Sequence, residues 1–101
     1  MVSSALDLPL DAIARLCREY NVEELSLFGS VLRDDFRDDS DVDMLVLFEA
    51  DARIGILELA ALQRKLGNLV HRKVDLVSKN GLKPVIRNEV LGSARVIYLH
   101  R

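Results

Sequence analysis

Apolar positions along this chain switch between a helical rhythm and short strand-like runs, and the switches divide it into elements. Ile13, Leu16, Cys17 and Tyr20 recur at i, i+3, i+4 and i+7, one face of a first helix that Pro9 starts and Asn21 ends. Leu25-Ser26-Leu27-Phe28 then reads as a short strand running into Gly29, followed by a short helix from about Ser30. A second strand opens at Asp41 and continues through Met44-Leu45-Val46-Leu47-Phe48. The longest helix is predicted from Ala52 to about Asn68, with Leu59, Leu62, Leu66 and Leu69 on one face, Glu58, Arg64 and Lys65 away from it, and Gly67-Asn68 as its stop. Lys73-Val74-Asp75-Leu76-Val77 is a third strand, and Ser78-Lys79-Asn80-Gly81 is turn chemistry. Pro84 and Gly92 bracket a further helix containing Ile86 and Val90, and Arg95 to Leu99 closes the chain as a strand. The order alternates α and β.

At 101 residues this is one domain, residues 1–101, with a single modest core. Half the residues are apolar and 30% are charged, a globular composition with no repeat, linker or low-complexity tract. A net charge of −2 argues against general nucleic-acid binding, which needs a basic excess to neutralise phosphates. No apolar run reaches the roughly 18 to 20 residues that span a bilayer, and no signal peptide is visible, so the cytoplasm is the expected compartment. Cys17, the lone cysteine, sits on the apolar helix face and reads as core. His71 and His100 have no second histidine or cysteine at zinc-ligand spacing and read as surface residues.

The chemistry concentrates in two places. Gly29 permits a tight turn and a close approach of phosphate to the backbone. Ser30 offers a hydroxyl and an N–H at a helix N-terminus, where an anion is favoured. Downstream, Asp41 and Asp43 alternate on one strand, so they share a face at roughly 6 to 7 Å between Cα atoms and can share a site for hard cations. If the Asp75 strand pairs beside theirs, Asp75 joins them. Three clustered carboxylates repel one another unless cations neutralise them, which points to divalent metal, Mg²⁺ by preference. Two ions about 3.5 to 4 Å apart would clamp the attacking and leaving oxygens of a phosphoryl or nucleotidyl transfer. The bland alternatives are an ordinary turn, a polar strand entry and a surface Asp75. Asp34, Asp35, Asp38 and Asp39 read as a solvated stretch, and Arg33 as either a phosphate contact or their ion-pair partner.

Gly-Ser, ten residues, Asp-x-Asp and a separate strand with a third Asp resemble the signature of the DNA polymerase β-like nucleotidyltransferase superfamily. Within it the chain looks like the minimal nucleotidyltransferases, the MNT antitoxins encoded beside HEPN-domain partners. Gly29, Ser30, Asp41, Asp43 and Asp75 match that motif one by one. Arg33 matches a basic position often found after Gly-Ser, although Asp34-Asp35 follows where relatives often carry a small residue. The resemblance implies an α/β (α+β) fold, a mixed β-sheet flanked by helices. It also implies metal-dependent transfer of AMP from ATP to an acceptor, a tyrosine hydroxyl of a HEPN-type toxin being the expected one. Asp41, Asp43 and Asp75 would be catalytic and hold two Mg²⁺ ions, and Gly29, Ser30 and Arg33 would bind the nucleotide. Two alternatives stay open: a vestigial subunit that masks a helical partner, and a catalytic subunit that modifies a small molecule. Oligomer formation is compatible with either.

Overall fold

The computed structural model describes residues 8–29, 41–79 and 92–100. Helix α1 (Leu10–Glu19) leads into strand β1 (Val22–Phe28), and strand β2 (Val42–Phe48) follows. Helix α2 (Ile56–Val70), strand β3 (Val74–Ser78) and strand β4 (Arg95–Leu99) complete the order. Asp11 in the first turn of α1 and Arg18 in its last complement the helix dipole. Asn21, at φ 57, then turns the chain into β1 in a conformation that asparagine tolerates better than most residues.

The strands form one mixed sheet in the order β3-β2-β1-β4. β1 lies antiparallel to both β2 and β4, whereas β2 and β3 run parallel. That parallel pair requires a crossover, and α2 supplies it. On the helical side, Val42, Met44 and Val46 of β2 and Val74 and Leu76 of β3 pack with Leu62, Leu66 and Val70 of α2. Ile13 and Cys17 bring α1 into the same core. A bulge between Val22 and Glu24 lets Val22 join Leu25 and Leu27 on this side despite their uneven spacing. Alternation along β2 and β3 sends Asp41, Asp43 and Asp75 to the opposite face.

Three boundaries differ from the sequence reading by two residues or more. α2 begins at Ile56, after Gly55 in an extended conformation, rather than at Ala52. It also runs through Gly67-Asn68 to Val70 and ends with His71 in the left-handed region at φ 56. Gly67 serves packing instead: a Cβ there would lie 2.9 Å from the Arg72 carbonyl oxygen, so glycine lets the β3 approach pass close against the helix. β1 also starts earlier than Leu25, at Val22. The helix expected from about Ser30 and most of the one bracketed by Pro84 and Gly92 lie outside the described residues. Among those described, no helix is long and apolar enough to cross a membrane.

Cys17 is fully buried, and burial pushes its thiol up from 9.0 to about 12. At pH 8 the folded protein should therefore react with a thiol reagent such as DTNB about a thousandfold more slowly than the urea-unfolded chain, the factor set by thiolate fraction. The linkage has one sign. The unfolded thiol ionises first as pH rises past 9.0, so the stability contributed by a neutral Cys17 is intact below that pH and is lost progressively towards about 12. Paired alkaline urea titrations should show Cys17→Ala losing less stability over this range than wild type. Equal labelling rates of folded and unfolded protein would contradict the core placement.

Candidate active site

The sheet register assembles the site. Asp43 and Asp75 are direct partners across the parallel β2–β3 pair, and Phe28 is the partner of Asp43 across β1–β2. Gly29, next after Phe28, therefore arrives beside Asp43. It does so at φ +76, and a Cβ at this position would land on the Asp43 carboxylate. The Val42 N–H donates to the Lys73 carbonyl oxygen at 2.9 Å, extending the pairing back past the start of both strands and holding Asp41 beside Lys73. Across the sheet the order is Gly29, then Asp43 with Asp41 two residues away, then Asp75.

Asp41 and Asp75 are exposed and Asp43 is half-buried. Burial thus places no demand on Asp75 for a compensating cation, contrary to what its apolar neighbours in sequence suggest. The case for it rests on its pairing with Asp43. Ser30 and Arg33 lie outside the described residues.

All three acids carry hard oxygen donors of the kind Mg²⁺ takes, and the register puts them on one face of two adjacent strands. Among the described residues, no three His, Cys, Asp or Glu side chains stand close enough together to hold an ion as they are oriented. The register brings the three residues together, and shared ligation of an ion would require their side chains to turn towards one another.

One supporting residue gave no sequence signal. Gln63 of α2 accepts the Leu76 N–H on its Oε1 at 2.9 Å. β3 is an edge strand, so this bond caps an outward-facing amide immediately after Asp75 and ties the strand to the helix. A Gln between Leu62 and Arg64 looks like any polar helix residue until the strand is beside it. A groove of about 540 Å³ between α1 and α2, lined by Ala12, Leu16, Lys65 and Leu69 among others, contains none of the candidate residues.

Comparison with known families matches residues 11–101 to the model described as polymerase beta, nucleotidyltransferase. The chain belongs to the polymerase beta nucleotidyltransferase family. Its relatives include the protein adenylyltransferase MntA of Thermococcus cleftensis, 38% identical over 84 residues, which are 83% of this chain and 81% of the relative. Among solved structures, a minimal nucleotidyltransferase is 39% identical with a TM-score of 0.70, over 84% of this chain and 85% of the other. A toxin-antitoxin structure with AMP-PNP shares the fold at 24% identity and a TM-score of 0.74, over 93% and 76% of the two chains. This chain is thus a nucleotidyltransferase of that family, and the curated relatives it resembles are protein adenylyltransferases.

Proposed function

We propose that this nucleotidyltransferase moves AMP from ATP onto a hydroxyl of a HEPN-type toxin, a tyrosine hydroxyl being the acceptor, and that it acts as the toxin's antitoxin. The observation that carries the reading is the direct Asp43–Asp75 pairing with Gly29 seated against Asp43. The likeness to MntA and to the toxin-antitoxin structure supports the partner class.

Asp41, Asp43 and Asp75 would hold Mg²⁺, which when bound neutralises triphosphate charge and sharpens the acceptor as a nucleophile. Gly29 leaves room for the phosphates at the end of β1, with Ser30 and Arg33 assigned to the same task by their place in the motif. The acceptor enters from the β3 edge. Its hydroxyl oxygen attacks the α-phosphorus, the bond to pyrophosphate breaks, and the hydroxyl proton passes to the Asp75 carboxylate. Position and charge are most of what such a transfer asks of the protein.

Roles divide by strand, so binding and chemistry should separate. Asp75→Asn should lower the AMP transfer rate roughly 10²- to 10⁴-fold, the range expected for a lost general base, while the ATP dissociation constant changes only a few-fold. Single-turnover transfer and equilibrium ATP binding measured side by side check this. Transfer at the wild-type rate by Asp75→Asn would remove Asp75 from the mechanism.

A further inference from the structure

β3 pairs with a strand on one side only, and its two sides are held by different elements. The Val42 N–H bond to the Lys73 carbonyl sets the phase of the parallel ladder with β2. In that phase Lys73, Asp75 and Val77 turn their backbone groups towards β2, and Val74, Leu76 and Ser78 turn theirs out of the sheet. The Leu76 N–H is the outward group next after Asp75, and Gln63 Oε1 accepts it at 2.9 Å. That N–H and the Asp75 carbonyl belong to one peptide unit. The unit is therefore held from both sides, by β2 through its oxygen and by α2 through its nitrogen. Its plane fixes ψ of Asp75, and with it the direction in which the Asp75 side chain leaves the strand.

A second contact from the same helix lies before Asp75. Gly67 is four residues after Gln63, on the same face of α2, and its carbonyl oxygen accepts the Arg72 N–H at 3.2 Å. A Cβ at Gly67 would stand 2.9 Å from the Arg72 carbonyl oxygen, so this approach depends on glycine. α2 thus grips the β3 backbone on both sides of Asp75, at Arg72 and at Leu76.

Asp75 has little else to direct it. Its side chain is exposed, and among the described residues its carboxylate makes no hydrogen bond or ion pair. β3 has only 5 residues and one neighbouring strand, whereas Asp43 sits on β2 between two strands. We propose that Gln63 is a positioning residue for adenylyl transfer, its bond to the Asp75–Leu76 peptide keeping the Asp75 carboxylate in register with Asp43. The proposal rests on the acceptor-side role given to Asp75 above. Gln63 acts through Asp75 and not on the reacting atoms. Without its oxygen the peptide is bonded on one side and tilts, and a displacement of about 1 Å in a reacting group's support can cost about a hundredfold in rate.

Two variants test this. Gln63→Met keeps the length of the side chain and removes the carbonyl oxygen, whereas Gln63→Glu keeps an oxygen at the same reach. Hydrogen exchange at the Leu76 amide is measured in the full chain without ATP, metal or partner. It should speed up at least tenfold in Gln63→Met and stay within about threefold of wild type in Gln63→Glu. Transfer kinetics should split in the same way. Gln63→Met should lower kcat roughly ten- to a hundredfold, with ATP binding and the KM for the HEPN-type toxin changed less than about threefold. Gln63→Glu should keep kcat within about threefold of wild type. A bond that only stabilises the fold would lower the melting temperature of Gln63→Met and leave kcat of the folded protein unchanged, and that result would overturn the proposal. A Leu76 amide as protected in Gln63→Met as in wild type would do the same, as would a Gln63→Glu protein as slow as Gln63→Met. If wild type itself transfers no AMP, the proposed function fails, and exchange at Leu76 still decides whether Gln63 holds the peptide.

Discussion

Replacing Gly29 with either alanine or valine should abolish AMP transfer while leaving a folded protein. Both variants add a Cβ, and that atom would land on the Asp43 carboxylate. The carboxylate is the far end of a rotatable side chain, so the overlap is relieved by turning Asp43 away rather than by separating the strands. The stability loss then comes mainly from holding a side chain at φ +76, roughly 1 to 2 kcal/mol for alanine and more for β-branched valine. A domain with about 5 to 15 kcal/mol of stability survives that. The functional loss is larger, because a Cβ on the Gly29 side narrows the rotations by which Asp43 could share a cation with Asp41 or Asp75. If glycine served only to let phosphate approach, valine's branches would block and alanine would be mild. Wild-type transfer by Gly29→Ala, with folding checked by thermal melts, would contradict the Asp43 contact as its main role.

The second large effect comes from Asp41→Asn combined with Asp43→Asn. Transfer should fall at least a thousandfold, about 4 kcal/mol of transition-state stabilisation and in the range ascribed to a metal clamp. Asparagine keeps the shape of both side chains while removing their charge, so thermal melts should show a folded double variant. The ligand response should fall with the activity. ATP with Mg²⁺ at about 100 times its dissociation constant should stabilise wild type by about 2.7 kcal/mol and the double variant by little of that. Equal thermal shifts in the two proteins would remove these acids from the nucleotide site.

Much of this site was legible in the sequence because strand alternation is rigid. Asp41 and Asp43 must share a face, and Asp75 between Val74 and Leu76 must face away from whatever those two bury. That the Asp75 strand lies beside theirs was a condition the sequence left open, and the register meets it by pairing Asp75 with Asp43. Gly67 misled because glycine near a helix end signals a stop, whereas here it admits the Arg72 backbone, a tertiary cause with no local signature. His71 took the left-handed cap that glycine or asparagine would have advertised. Val22 escaped the strand prediction because the bulge breaks its alternation with Leu25. The Gln63 bond to β3 depends on two elements meeting.

The central claim is covalent transfer to a protein partner, and a mass measurement on that partner tests it most directly. The HEPN-type toxin proposed as its partner is incubated with ATP, Mg²⁺ and a tenfold smaller amount of this nucleotidyltransferase, then separated from it and weighed by intact mass spectrometry. The account predicts that most of the partner gains the mass of one or more AMP units, keeps it after separation, and stays inactive. The Asp41→Asn, Asp43→Asn protein should give no mass gain. A partner that stays unmodified and is silenced only while an equal amount of this chain, wild-type or double variant, is bound to it would contradict the account and establish a masking subunit instead.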